Sequence, residues 1–213
     1  MRRTLWQTLF VMLFWLGWGL ISTAAGGSPV VETYYPINVD SYWVYEAEGG
    51  RFDGLRGEYR FTGQTQLADG SLVWIRVWSV TLPSGEIARD TSFVLVDETQ
   101  HQIHLIGDRL RRDEMIFLTE NLDPGDSWQA SPYHQMQQVH VVATEVNALV
   151  PAGMFAHCVR LERTNQDFAK FSYLLAPAVG MIEFGTKVNT NKVRNKDAPL
   201  PETTWRLVEY SIP

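Results

Sequence analysis

Apolar positions in this chain recur every second residue over most of its length, the period of strands with one face turned to a core. Glu58 to Leu67 alternates cleanly: Tyr59, Phe61, Thr65 and Leu67 on one face, Glu58, Arg60, Thr62, Gln64 and Gln66 on the other. Gly63 falls on the apolar face and marks a bulge or a close approach. Asp69-Gly70 between two such runs is a strong hairpin signal, so Leu72 to Thr81 is read as the partner strand. Its faces, Leu72/Trp74/Arg76/Trp78/Val80 and Val73/Ile75/Val77/Ser79, are both largely apolar. That places it centrally, with cover on both sides. Ile87 to Asp97, Gln102 to Gly107, Arg111 to Leu118, Gln137 to Val150, Cys158 to Thr164, Phe168 to Ala176, Gly180 to Lys187 and Thr203 to Ile212 read as further strands. Residues 189–201 have no apolar period and read as a loop. No amphipathic helix stands out: Asp108 to Leu122, the best window, fits a strand plus turn equally well. About 10–12 short strands joined by close turns predict an all-β domain, an antiparallel sheet curled into an open barrel or stacked as a sandwich.

The chain also echoes itself. Residues 35–43 and 119–128 each form a turn that feeds a tryptophan, Trp43 or Trp128, at the head of a strand. Two similar β modules would produce this, and so would one common turn used twice, which is the simpler reading.

The first residues obey a different pattern. Arg2 and Arg3 precede an uncharged run from Leu9 to Ile21, followed by the small residues Ser22, Thr23, Ala24 and Ala25. This predicts a signal peptide over 1–25 and a single β-rich domain over 26–213. An uncleaved anchor is the competing reading, although Leu9 to Ala25 falls short of the roughly 20 residues a spanning helix needs. No cysteine lies near the site, so lipidation of a mature N-terminal cysteine is not expected. Export implies a periplasmic or extracellular bacterial protein, with no membrane span after cleavage.

Composition narrows the partners. The 213 residues are 45% apolar and 20% charged with a net charge of −6, enough for one real core. Losing Arg2 and Arg3 moves the charge to −8. Such an acidic chain without a basic cluster is a poor match for nucleic acid. The single cysteine, Cys158, excludes a disulfide framework and a cysteine-based metal site. In an oxidising compartment it is read as a buried apolar residue, with a reactive thiol beside His157 as the alternative.

Catalytic patterns are missing. There is no nucleophile elbow, phosphate-binding glycine loop or HExxH. His101 and His104, three apart on a strand, would face opposite ways, and no cofactor or metal is expected. Glu46, Glu162 and Glu183 sit on strands, but nothing marks a pair of them for glycoside hydrolysis.

The segments YYPINVDSYWVY (34–45), LTENLDPGDSW (118–128), VPAGMFAHCVRLE (150–162) and YLLAPAVGMIEF (173–184), closed by WRLVEY (205–210), resemble a group of uncharacterised bacterial secreted or lipoprotein-type β domains. That group's pattern runs Tyr-x-Pro-Leu with Trp-x-Tyr, then Gly-Asp-x-Trp, then Pro-Ala-Gly-Thr-Phe with a following Cys, then Pro-Gly-Val-Gly. The resemblance implies an antiparallel β fold, export and no established reaction. Asp40 and Ala178 replace glycines of the pattern. Asp tolerates left-handed backbone and Ala does not, so the turn at Ala178 is expected to differ in type. Within these segments Pro151 and Gly153 suit a tight turn, Phe155 and Cys158 a core plug, and Trp43, Tyr45 and Trp128 the closing of a sheet end.

The expected function is a non-catalytic binding or assembly module of the cell envelope, with an envelope protein as partner. The alternatives are a carrier of an apolar ligand in an open barrel and an envelope glycosidase. A carrier would line its cavity with Trp74, Arg76, Trp78, Phe93 and Leu95, the arginine among aromatics receiving an acidic headgroup. Packing the tryptophans into a core is the plainer use of them.

Overall fold

The computed structural model describes residues 29–131, 137–165, 169–188 and 202–213. The leader reading and the loop reading for 189–201 therefore lie outside the described residues. The elements are α1 (Pro29–Tyr34), β1 (Tyr42–Glu48), β2 (Arg56–Gln66), β3 (Leu72–Thr81), β4 (Ile87–Asp97), β5 (Gln102–Ile106), β6 (Met115–Leu118), β7 (Ser127–Gln129), β8 (Gln137–Val150), β9 (Gly153–Asn165), β10 (Ala169–Ala176), β11 (Gly180–Val188) and β12 (Thr203–Ser211). The strands form one antiparallel sheet in the order β6-β5-β4-β3-β2-β1-β12-β11-β10-β9-β8-β7. Each strand pairs with its sequence neighbours except β6 and β7, which end the sheet, and β12 returns to β1. The two ends of the sheet then meet: the Ile116 N–H donates to Ala130 O (2.6 Å) and the Trp128 indole N–H to Ile116 O (3.0 Å). The result is a nearly closed twelve-stranded barrel, so the all-β expectation holds and the choice between barrel and sandwich is decided.

Strand boundaries follow the sequence period closely, with three differences. β9 starts at Gly153, five residues before the expected Cys158, because the Pro-Ala-Gly turn leads straight into it. Arg111 to Glu114 does not extend β6; it belongs to a loop that folds back over the outside of the barrel. The six-residue helix α1 was not foreseen, because so short a segment shows no helical period. It is tied to the barrel by Ala178 N–H donating to Thr33 O (2.6 Å) and Tyr34 OH donating to His157 O (2.9 Å).

A bulge between Phe61 and Gly63 reverses the faces of β2. Phe61 pairs with Arg76 and Tyr59 with Trp78 on the inside, whereas Gly63 pairs with Ile75 and Thr65 with Val73 on the outside. Tyr59, Phe61, Thr65 and Leu67 therefore do not share one face, since an extra residue in one strand inverts every side chain after it. Leu67 joins Val73, Phe93 and Ile106 in a small outer cluster, with Ile75 and Leu95 packed on it. The loop after β5 covers that cluster, setting Arg109 over the Phe93 ring (5.8 Å) and Arg111 on Asp69 (2.8 Å).

The echo seen in the sequence extends past the turn. Asp40 N–H donates to Phe61 O (2.9 Å) and Phe61 N–H to Ser41 O (3.0 Å). Gly125 N–H donates to Val141 O and Val141 N–H to Asp126 O, both at 2.9 Å. Asp40 and Gly125 both carry positive φ, 68° and 98°. Each turn thus hooks onto the second strand of a six-strand run, β1–β6 or β7–β12, and this repetition goes beyond one turn used twice.

Ala178 adopts φ 60°, so the expectation that its turn avoids left-handed backbone is overturned. The bond to Thr33 and that from Val179 N–H to Ala176 O (3.2 Å) hold it there. Gly153, with φ 140°, behaves as its position in the Pro-Ala-Gly turn predicts.

Candidate functional site

Inward-facing side chains do not fill the barrel evenly. Beside β1–β3 and β11–β12 the interior is packed with rings. Trp78 lies 4.4 Å from Tyr59 and 5.1 Å from Trp205, and Phe184 stacks on Trp205 at 6.0 Å with an interplanar angle of 8°. Tyr45 joins them, its OH donating to Met181 O (2.7 Å). Gly57 makes room for this cluster: a Cβ there would fall 2.2 Å from the Trp78 ring. From the opposite rim, Tyr35 reaches into the barrel against Phe61 and Phe117.

Between this packed wall and β9–β10 lies a cavity of about 260 Å³. Rings of Tyr59, Phe117, Phe171, Tyr173 and Phe184 line it, and it contains two guanidinium groups, Arg76 and Arg163. Arg76 donates from Nε to Ser92 Oγ (3.0 Å) and from Nη1 to Tyr35 OH (3.0 Å), and lies 4.6 Å over the Tyr59 ring. It also borders a second space of about 20 Å³ lined by Tyr35, Pro36 and Trp43, room for about one water. Arg163 lies 4.1 Å over Phe171, its Nη1 meets Met115 Sδ (3.0 Å) and, at long range, Gln137 Oε1 (3.5 Å), and the Tyr173 hydroxyl is a further neutral partner. The Arg163 Nε is buried without an acceptor among the described residues.

No described carboxylate pairs with either arginine. The tyrosines do not supply a counter-charge: burial raises the hydroxyl pKa of Tyr59 against the pull of Arg76, and that of Tyr173 against the pull of Arg163. Both stay neutral near pH 7. Asp90, opposite Trp78 on the inner face, is exposed at the rim. The cavity is therefore apolar in its walls and positive in its charge.

The five candidate ligand residues divide between the two faces. Trp74, Arg76 and Trp78 face inward, opposite Val94, Ser92 and Asp90. Phe93 and Leu95 face outward, into the cluster with Val73 and Ile106 or packed against it. The cavity list is corrected accordingly: the register sets Ile75, not Trp74, opposite Phe93. Arg76 lines the cavity, while Trp74 and Trp78 pack beside it. Arg163 escaped the sequence reading although it carries the same signal as Arg76, an arginine in step with apolar residues, Val159 and Leu161.

Other chemistry-bearing groups have structural partners. Glu46, Glu162 and Glu183 face outward in ion pairs with Arg56, Lys170 and Arg206. His104 Nδ1 meets Glu114 Oε1 (2.6 Å), and Arg111 joins the same carboxylate through Nε (2.7 Å) and Nη2. Among the described residues no group of acids, histidines and cysteine is placed to hold a metal. Cys158 is buried, and burial raises its thiol pKa despite nearby Arg160. It packs within the hydrophobic core, as the apolar reading expects.

Comparison with known proteins adds the fold. No protein-family model and no curated protein matches the chain. A crystal structure of a candidate lipoprotein from Parabacteroides distasonis is similar in fold, with a TM-score of 0.50 over 84% of this chain and 99% of that one, at 11% identity. Among the described residues no helix is long and apolar enough to cross a membrane.

Proposed function

We propose that this protein is a non-catalytic binding module of the bacterial cell envelope, and that its binding site is the interior of the barrel. The observation that carries the reading is the aromatic-walled cavity of about 260 Å³ beside an otherwise packed core. An apolar cavity with a few convergent polar groups is where small molecules bind by default. The fold shared with a candidate lipoprotein and the signal-peptide pattern support an exported setting. Ligand pockets for drug-sized molecules run from about 300 to 1,000 Å³, and this one is smaller. It suits a compact ligand and not a whole membrane lipid.

The test uses 19F NMR of the mature chain with 4-fluorobenzyl alcohol, a neutral aromatic probe. Saturable binding, abolished by filling the cavity with Thr186→Trp, is the expected result. Binding untouched by that substitution, or failure of this probe together with anionic analogues of the same body, would remove the interior as the site.

A second reading, assembly through the outer surface, draws on the hairpin joining β8 and β9. There Leu149 and Met154 pair across the strands and are 77% and 78% exposed. Replacing both with serine would then release a partner from envelope extracts while leaving the cavity probe bound.

A further inference from the structure

Resting on the reading of the barrel interior as a binding site, we infer that its ligand is a small anion: an aromatic or short apolar body bearing one oxyanion, a carboxylate or a phosphate. Two guanidinium groups border one small apolar space, and a guanidinium is charged at every ordinary pH. A buried charge is normally paired, because desolvation otherwise costs several kcal/mol. Elsewhere this chain follows that rule: Arg111, largely covered, is met by Glu114 and Asp69. Arg76 and Arg163 are met by hydroxyls, a thioether, an amide and ring faces.

These partners orient the guanidiniums without neutralising them. Ser92 and Tyr35 occupy Nε and Nη1 of Arg76, and the Tyr59 face fixes its plane. Arg163 is the less satisfied of the two, with a buried Nε that has no acceptor among the described residues. A carboxylate or phosphate oxygen is the acceptor a guanidinium fork matches best, through charge-assisted and often paired hydrogen bonds. Phe117, Phe171 and Phe184 would enclose the body of the ligand while Arg163 takes its head. Cationic ligands are excluded by the same charge, and a neutral one would leave both guanidiniums without a counter-ion.

The experiment compares probes that share a body and differ in the head: 4-fluorobenzoate, 4-fluorophenyl phosphate and 4-fluorobenzyl alcohol, titrated into the mature chain by 19F NMR. A hydrogen bond to a charged group predicts that at least one anion binds about tenfold or more tightly than the alcohol. The better anion identifies the head as carboxylate or phosphate. Arg163→Gln should bring that anion to within about threefold of the alcohol, and Arg163→Lys should restore much of the preference because charge is retained. Circular dichroism of each variant confirms that the barrel is intact. Equal binding of alcohol and anions, or an anion preference that survives Arg163→Gln in a folded protein, would overturn this inference and leave the interior as an apolar site. Failure of all three probes would overturn both.

Discussion

The two six-strand runs of the barrel begin alike and end differently. In each, a residue with positive φ hooks the incoming chain onto the second strand, and a tryptophan three residues later anchors its indole on a backbone carbonyl: Trp43 on Val179 O (2.7 Å), Trp128 on Ile116 O (3.0 Å). Aligning the hooks sets Phe61 against Val141, Tyr59 against Val139, Tyr45 against Ala130 and Gly57 against Gln137. The first run fills its inner face with rings at positions where the second carries small aliphatic residues. Arg76 corresponds to Leu161, and Trp78 to Arg163. One scaffold used twice therefore does not create two sites. Rings gathered beside β1–β3 and β11–β12, with small residues at Ala130, Val139 and Val141, leave the cavity off-centre, and arginines at non-equivalent heights give it two cations. The repeated part is the backbone hook, and the asymmetry lies in side-chain volume.

The sharpest way to break this comparison is at its tightest contact. Gly57→Val would drive a side chain into the Trp78 ring and is expected to cost about 3 kcal/mol, the upper end for overpacking. Gln137→Val at the matching place in the second run should cost less than about 1 kcal/mol. Urea unfolding of both variants measures the difference, and equal losses would mean that the two runs are packed alike.

Glu114 supplies the next test, because the first run also carries a buried ion cluster. Glu114→Ala strands Arg111 and His104 and is expected to cost about 2–3 kcal/mol, somewhat below the range for a fully buried pair because Asp69 remains. Glu48→Ala, which removes an exposed partner of Arg206, should cost less than about 1 kcal/mol. The same cluster makes stability depend on pH. Burial opposes the ionised form of Glu114, yet Arg111 and His104 hold its carboxyl below its ordinary value. The Ser71 N–H and Arg111 bring Asp69 to about 2. Both pKa values are lower in the folded chain, so the stabilisation is present above the unfolded carboxyl range and is lost as pH falls towards about 2. Melting temperatures followed from pH 6 to pH 2.5 should fall less steeply for Glu114→Gln than for the parent, and parallel curves would sink the assignment.

Trp43→Phe and Trp128→Phe probe what the runs share. Each loses one indole hydrogen bond, about 1 kcal/mol, with a further packing loss at the more deeply buried Trp43. A negligible effect at either position would show that its hook holds without the anchor. Smallest is Ala178→Gly, which relieves a left-handed alanine worth about 1–2 kcal/mol but adds unfolded-chain entropy. A net gain of about 0.5–1 kcal/mol is expected, seen as a modest rise in melting temperature.

Most of the strands were legible because a half-buried strand writes its period into the chain. The hairpin at Asp69-Gly70, the turn at Gly153 and the bulge at Gly63 were legible because each needs backbone that glycine supplies. Arg76 stood out as a charge among tryptophans. Arg163 had the same signature, but its neighbours Leu161 and Val159 are ordinary core residues and drew no attention. The grouping of Phe93 and Leu95 with Trp74 and Trp78 failed for a definite reason: the face of a residue on β4 depends on its register with β3, and composition carries no information about register.

The sequence by itself determined an all-β chain, nearly every strand in it, the burial of its lone cysteine and an arginine set among rings. Those properties depend on neighbours within a few residues, where periodicity and turn chemistry act. Only the tertiary structure decided that the sheet closes on itself, that Arg76 and Arg163 share one cavity although 87 positions separate them, and that no described carboxylate comes with them. Closure and cavity arise from register, twist and ring volume summed around twelve strands. No local stretch of chain encodes that sum.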